Sequence, residues 1–198
     1  MQTATTSRTA TAAVTGGIAW IAVALTLGVS GVLVTARPPA PQILILSLTA
    51  AAIWITSRGA LRTLVDAIPI RALVAVHAVR FIGFVFLAMS AQGALSPVFA
   101  TPAGWGDIAV ATSALGLVAM GTPATRLRRG LYLSWNAFAT LDLVVAVGSA
   151  TLVALSGDVL GVAPLLRAPL VLVPTFLVPL LFASHVIIFR RLRQSNVT

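Results

Sequence analysis

Two histidines, one arginine and two aspartates lie inside apolar stretches of this 198-residue chain: His77, Arg80, Asp107, Asp142 and His185, with Asn136 beside them. An ionisable group in such surroundings costs about 2.5–3.5 kcal/mol on membrane-insertion scales, so each one asks for a partner and a purpose. The chemistry on offer is narrow. Neutral imidazoles ligate metals and pass protons, while an arginine–carboxylate pair locks helices together or receives an anionic or zwitterionic ligand.

Depth can be counted from the nearest arginine at the cytoplasmic end of each apolar run. At about 1.5 Å per residue, His77 lies about 9 Å in, His185 about 7.5 Å and Asn136 about 10 Å. Two imidazoles at matched depth on different helices are what axial ligation of a b-type haem requires, and Arg80, one turn deeper on the His77 face, would neutralise a propionate. The same pair could face a quinone. The competing reading gives each histidine an interhelical hydrogen bond or a proton-handling role near the cytoplasmic mouth. Asp142 lies deeper, within reach of Arg80, and is read as its ion-pair partner. Asn136 points about 120° away from Asp142 at the helical step of about 100°, so its reading is an interhelical hydrogen bond. A two-histidine metal site is not expected, because no Glu or Cys completes a tetrahedral shell.

The elements that must carry these residues follow from composition. The chain is 59% hydrophobic and 9% charged, with 13 arginines, four aspartates and no lysine, glutamate or cysteine. A soluble domain needs a polar shell that this sequence does not supply. The absence of cysteine excludes disulfides, thiolate zinc, iron–sulfur clusters and c-type haem attachment. The net charge of +9 is not a nucleic-acid signature, because the arginines form short groups beside apolar runs and no basic face carries interleaved aromatics.

Those runs predict an all-α polytopic membrane protein, a six-transmembrane-helix bundle. A polar tail, 1–13, is expected to be disordered. Spans are expected at 14–36, 42–56, 70–95, 106–120, 131–155 and 169–189, forming one transmembrane domain over 14–189, with a basic tail at 190–198. The first run exceeds the 7–15 residues of a signal-peptide core, so it reads as a span. Arg58, Arg62 and Asp66 recur at i, i+4 and i+8 opposite Leu61, Leu64 and Val65, which predicts a short interfacial helix after the second span. Six spans place ten of the 13 arginines on one side: Arg8, Arg58, Arg62, Arg71, Arg126, Arg128, Arg129, Arg190, Arg191 and Arg193. Arg37 and Arg167 fall opposite. The positive-inside rule then makes both termini cytoplasmic, in the plasma (inner) membrane of a bacterium. Trp54, Trp105 and Trp135 fall near span ends, as aromatic belts require. The stretch 96–105 reads as an apolar outer loop.

Gly104-Trp105-Gly106-Asp107 resembles the G-x-G-D that carries a catalytic aspartate in presenilin-like and prepilin-peptidase intramembrane proteases. The likeness covers four residues, and those families place this aspartate after its partner, whereas Asp142 follows it here. Asp142 would also lie about 10 Å deeper than Asp107, and such chemistry needs two carboxylates close enough to share a proton. Asp107 is therefore read as the N-cap or first-turn acid of the fourth span. Pro174 and Pro179 predict kinks in the last span.

Three classes of function follow. The first is a non-enzymatic membrane protein whose polar cluster binds a small-molecule ligand or cofactor, with His77, His185 and Arg80 holding haem b or a quinone. The second is a small transporter or proton-coupled carrier using Arg80 and Asp142. The third is a membrane-embedded enzyme acting on a lipid or isoprenoid with Asp142 as acid. In each the bilayer is the partner and nucleic acid is not.

Overall fold

The computed structural model describes residues 2–194, with side chains from Ser7 onward. Helices and short helical turns make up the secondary structure, with no strand among the described residues. Five helices are long and apolar enough to cross a membrane: Ser7–Ser30, Ile70–Ala91, Pro97–Met120, Arg126–Leu155 and Val173–Gln194. The bent pair Ala40–Thr56 and Gly59–Asp66 makes a sixth if counted as one span. The chain divides into two compact units, Met1–Ile68 with Ala163–Ala183, and Pro69–Val162 with Ser184–Thr198.

In the first unit, helix α1 (Gln2–Ser30) replaces the disordered tail expected over 1–13; Met1 and the side chains of 2–6 lie outside the described residues. The segment is polar but free of proline, and rich in alanine, the strongest helix former. Thr11 Oγ1 donates to the Ser7 carbonyl at 3.0 Å, and further along the helix Thr26 Oγ1 donates to that of Ala22 at 2.9 Å, the back-bonding that satisfies Thr within a helix. The first span also stops earlier than 36. Gly31, at φ 69°, separates α1 from the single turn α2 (Val32–Thr35), a left-handed conformation that glycine adopts without penalty.

Helix α3 (Ala40–Thr56) breaks by 80° into α4 (Gly59–Asp66). Arg62 and Asp66 pair at 3.5 Å, and the Arg58 guanidinium lies 4.8 Å from the Trp54 ring centroid. Leu33, Leu166 and Val171 form a small core with Leu27, Val34, Leu44 and Ala168 packed on it.

The second unit carries the polar cluster. It begins with α5 (Ile70–Ala75), continues without a break as a 3-10 segment (Val76–Ile82), and returns to α geometry in α6 (Gly83–Ala91). Helix α7 (Pro97–Met120) packs against all three and against α8 (Arg126–Leu155). The expected loop at 96–105 is thus the start of α7. Proline suits the first turn of a helix, where its missing N–H has no intrahelical acceptor, so Pro97 begins this helix instead of ending a loop. Thr125 Oγ1 caps α8 by accepting from the Arg128 amide at 3.2 Å.

Glycines let α6 and α7 come together. A Cβ at Gly83 would run into the Gly104 carbonyl, and one at Gly104 would lie 2.7 Å from Leu87 Cγ. The last helix, α9 (Val178–Gln194), follows a π-helical turn over Val173–Leu177 that contains Pro174. It absorbs the first residues of the basic tail expected at 190–198; residues 195–198 lie outside the described residues.

Candidate functional site

Arg80 stands at the centre of the second unit, 1% exposed, and three of its nitrogens reach three acceptors. Nε donates to Asp107 Oδ1 of α7 at 2.5 Å, Nη1 to the Ala139 carbonyl of α8 at 3.0 Å, and Nη2 to Asp142 Oδ2 of the same helix. The planar guanidinium fork suits this, offering donors in fixed directions that a lysine ammonium lacks. Asp142 is therefore joined to Arg80. Asp107 is joined to it as well, which corrects the expected capping role: it sits ten residues into α7, well past the first turn. The expected depth difference of about 10 Å is corrected too, since one guanidinium holds both carboxylates. Helix α7 begins at Pro97, nine residues before the span start at 106 from which that depth follows.

The G-x-G-D residues acquire a structural meaning in this setting. Gly104 admits Gly83 and Leu87, a Cβ at Gly106 would overlap the Asp142 carboxylate, and Asp107 binds Arg80. Each carboxylate is taken by a different nitrogen of Arg80. That differs from the direct carboxyl pair of an aspartic protease, where two acids share one proton.

The imidazoles lie next to this centre. His77 occupies the 3-10 segment with Arg80, where three residues per turn bring i and i+3 onto one line. Its Nε2 meets Ser184 Oγ at 2.9 Å. His185 of α9 presents Nδ1 to Asn136 Oδ1 at 2.7 Å, and Asn136 Nδ2 donates to the His185 carbonyl at 3.1 Å. That carbonyl only accepts, so it orients the amide, and the amide oxygen then requires a hydrogen on His185 Nδ1. The neutral His185 ring is left with a bare lone pair on Nε2. His77 Nδ1 and His185 Nε2 are buried and meet no hydrogen-bond partner.

The two rings touch directly, with centroids 4.4 Å apart and planes tilted by 38°. Trp135 closes the group, its ring edge-on to His77 at 5.1 Å and its Nε1 donating to the Val110 carbonyl at 3.4 Å. The aromatic-belt position expected for Trp135 is corrected, as it is 6% exposed; Trp54 and Trp105 stay exposed. Axial ligation of an iron by His77 and His185 requires these rings to part. Among the described residues, no group of three His, Cys, Asp or Glu side chains is placed to hold a metal ion.

The structure thus brings His77, Asn136 and His185 together, and joins Arg80 to Asp142. Sequence reasoning gives Asp107 a capping role and Trp135 a belt position, and does not single out Ser184. A signal for Asp107 existed in the apolar character of 96–105, which fits an extension of the following span. Ser184 and Trp135 adjoin His185 and Asn136 in sequence, and nothing further marks them.

No curated protein and no solved structure matches the chain. The family described as Domain of unknown function (DUF8737) matches residues 40–193, a range that holds every residue of the cluster and leaves out α1. The chain belongs to this family of DUF8737 domains.

Proposed function

We propose that this protein is a small proton-coupled carrier of the bacterial inner membrane, with six spans, both termini cytoplasmic, and Asp107, Arg80 and Asp142 as its proton-binding centre. One observation carries the reading: two carboxylates, the buried Asp107 and the half-buried Asp142, share a single guanidinium. Fully ionised, the trio bears one surplus negative charge, and one proton makes it neutral. Uncompensated charge is expensive in a low-dielectric interior, and ionisable residues within membrane helices mark ion pathways and proton relays. Binding that proton also releases one of the two ion pairs, so occupancy changes what holds the helices together. The six-span topology and its orientation rest on the bent α3–α4 pair crossing as one span and on the arginine bias.

The test is proton flux in proteoliposomes carrying a pH-sensitive dye, under an imposed potential and with candidate solutes supplied. Wild-type protein should move protons, with flux lost in Asp142→Asn and in Asp107→Asn. Flux that survives both substitutions, or a wild-type protein silent under every condition, would overturn the reading.

The unmet nitrogens of His77 and His185 favour a second reading, a ligand or cofactor site for a quinone or haem b. The visible spectrum of protein purified from haem-replete cells decides the haem case. A Soret band with sharp reduced α and β bands, lost in His77→Ala and in His185→Ala, supports it, and a colourless protein removes it.

A further inference from the structure

The segment Val76–Ile82 runs as a 3-10 helix for seven residues between two α-helical stretches. Runs beyond three or four residues are uncommon, because 3-10 hydrogen bonds are poorly aligned and side chains at i and i+3 eclipse. Nothing local accounts for it: Val76-His77-Ala78-Val79-Arg80-Phe81-Ile82 contains neither glycine nor proline. Its tertiary contacts do. His77 reaches Ser184, and Arg80 reaches Asp107, Ala139 and Asp142. Both side chains are buried on one face. In an α-helix, residues three apart are offset by about 60° around the axis; with three residues per turn the offset vanishes. The 3-10 geometry is what lets one segment present both groups to the cluster.

We infer that Val76–Ile82 is a conformational switch, held in the 3-10 form by the ion pairs of Arg80 and returning to α-helix when those pairs are released. The inference rests on the carrier reading, for which it supplies the moving part. The titratable groups around Arg80 are Asp107 on α7, Asp142 on α8, His77 in its own segment and His185 on α9. The carrier proton releases the first of these ion pairs, and a second proton on the other aspartate frees the guanidinium from both. The rise per residue then falls from about 2.0 to about 1.5 Å, shortening the span by about 3.5 Å over the segment. His77 turns by about 60° relative to Arg80, away from its contact with His185. Proton binding at one centre thereby opens the imidazole cluster beside it.

The chain has no cysteine, so spin labels can be placed at will. Ala72 and Ala91 are exposed and bracket the segment. In the Ala72→Cys/Ala91→Cys protein, reconstituted in lipid nanodiscs, pulsed dipolar EPR should show the interlabel distance shortening by about 3.5 Å as pH falls through the range in which flux is activated. The shorter distance should hold at every pH when Asp107→Asn and Asp142→Asn are added. A control pair on α8, Leu131→Cys/Leu152→Cys, should not move.

A distance unchanged in wild type across pH overturns the inference, whether or not the aspartate variant folds. Equal changes in both label pairs, the mark of general loosening, also overturn it. Proton flux with an unmoved span removes the switch and keeps the carrier. A shortening span without flux removes the carrier reading.

Discussion

Gly106 of α7 lies directly against the carboxylate of Asp142 on α8, so close that a single added carbon would overlap it. The ion pair between Asp142 and Arg80 therefore depends on a residue that makes no polar contact with either. Gly116, nearly three turns further along α7, has open space where its side chain would be. The same substitution at the two sites should have opposite signs. Gly106→Ala is expected to destabilise by about 1–3 kcal/mol, the usual cost of overpacking. Gly116→Ala should stabilise by up to about 1 kcal/mol through helix propensity. Equilibrium unfolding in mixed micelles measures both, and equal effects would show that α7 and α8 are not in this contact.

Removing Arg80 leaves the buried Asp107 and the half-buried Asp142 without their shared cation. Arg80→Met should cost about 3–5 kcal/mol, the range for breaking a buried ion pair from one side. Adding Asp107→Asn and Asp142→Asn should recover most of that loss, since the strain lies in the unpaired charges. A triple variant no more stable than Arg80→Met alone would mean that the guanidinium contributes chiefly by packing.

Asn136 should set the tautomer of His185. In wild type, 15N spectra of labelled histidine should show His185 with its hydrogen on Nδ1. Asn136→Leu should abolish that preference and destabilise by about 1–3 kcal/mol, because a buried donor loses its acceptor. An Nε2–H tautomer in the wild-type protein would contradict the arrangement.

Tyr132 ties the end of α7 to α8, its hydroxyl reaching the carbonyls of Leu117 at 3.0 Å and Gly121 at 2.7 Å. Arg71 adds bonds from Nε and Nη2 to the Val118 carbonyl at 3.1 and 2.7 Å. Carbonyls at a helix end lack intrahelical partners, and these side chains supply them. Tyr132→Phe should cost about 0.5–1.5 kcal/mol and speed amide exchange in the last turn of α7 while leaving the Arg80 centre intact. Unaltered exchange there would show that the turn is held by other contacts.

Much of this architecture could be read along the chain. The all-α class and the apolar runs long enough to span a membrane follow from composition and hydropathy, because an uninterrupted apolar stretch must satisfy its own backbone hydrogen bonds. The short helix at Gly59–Asp66 follows from the spacing of Arg58, Arg62 and Asp66, and the pairing of Arg80 with Asp142 from their character and reach. Boundaries set by proline and by polar residues were less legible. Pro97 reads equally as the end of a loop or the first turn of a helix, and the Thr-rich start of α1 reads as solvated although Thr11 turns its hydroxyl back onto the helix.

Neighbours and rotation about the helix axis came from tertiary packing alone. Hydropathy places a residue along a helix but says nothing of which helix it faces, so Asp107 and Asp142 read as lying at different depths although one arginine holds both. Periodicity assumes the α-helical step, and the 3-10 segment changes that step where His77 and Arg80 lie. A glycine's role is invisible in sequence, because it is set by what another helix places against it: the Asp142 carboxylate at Gly106, and nothing at Gly116.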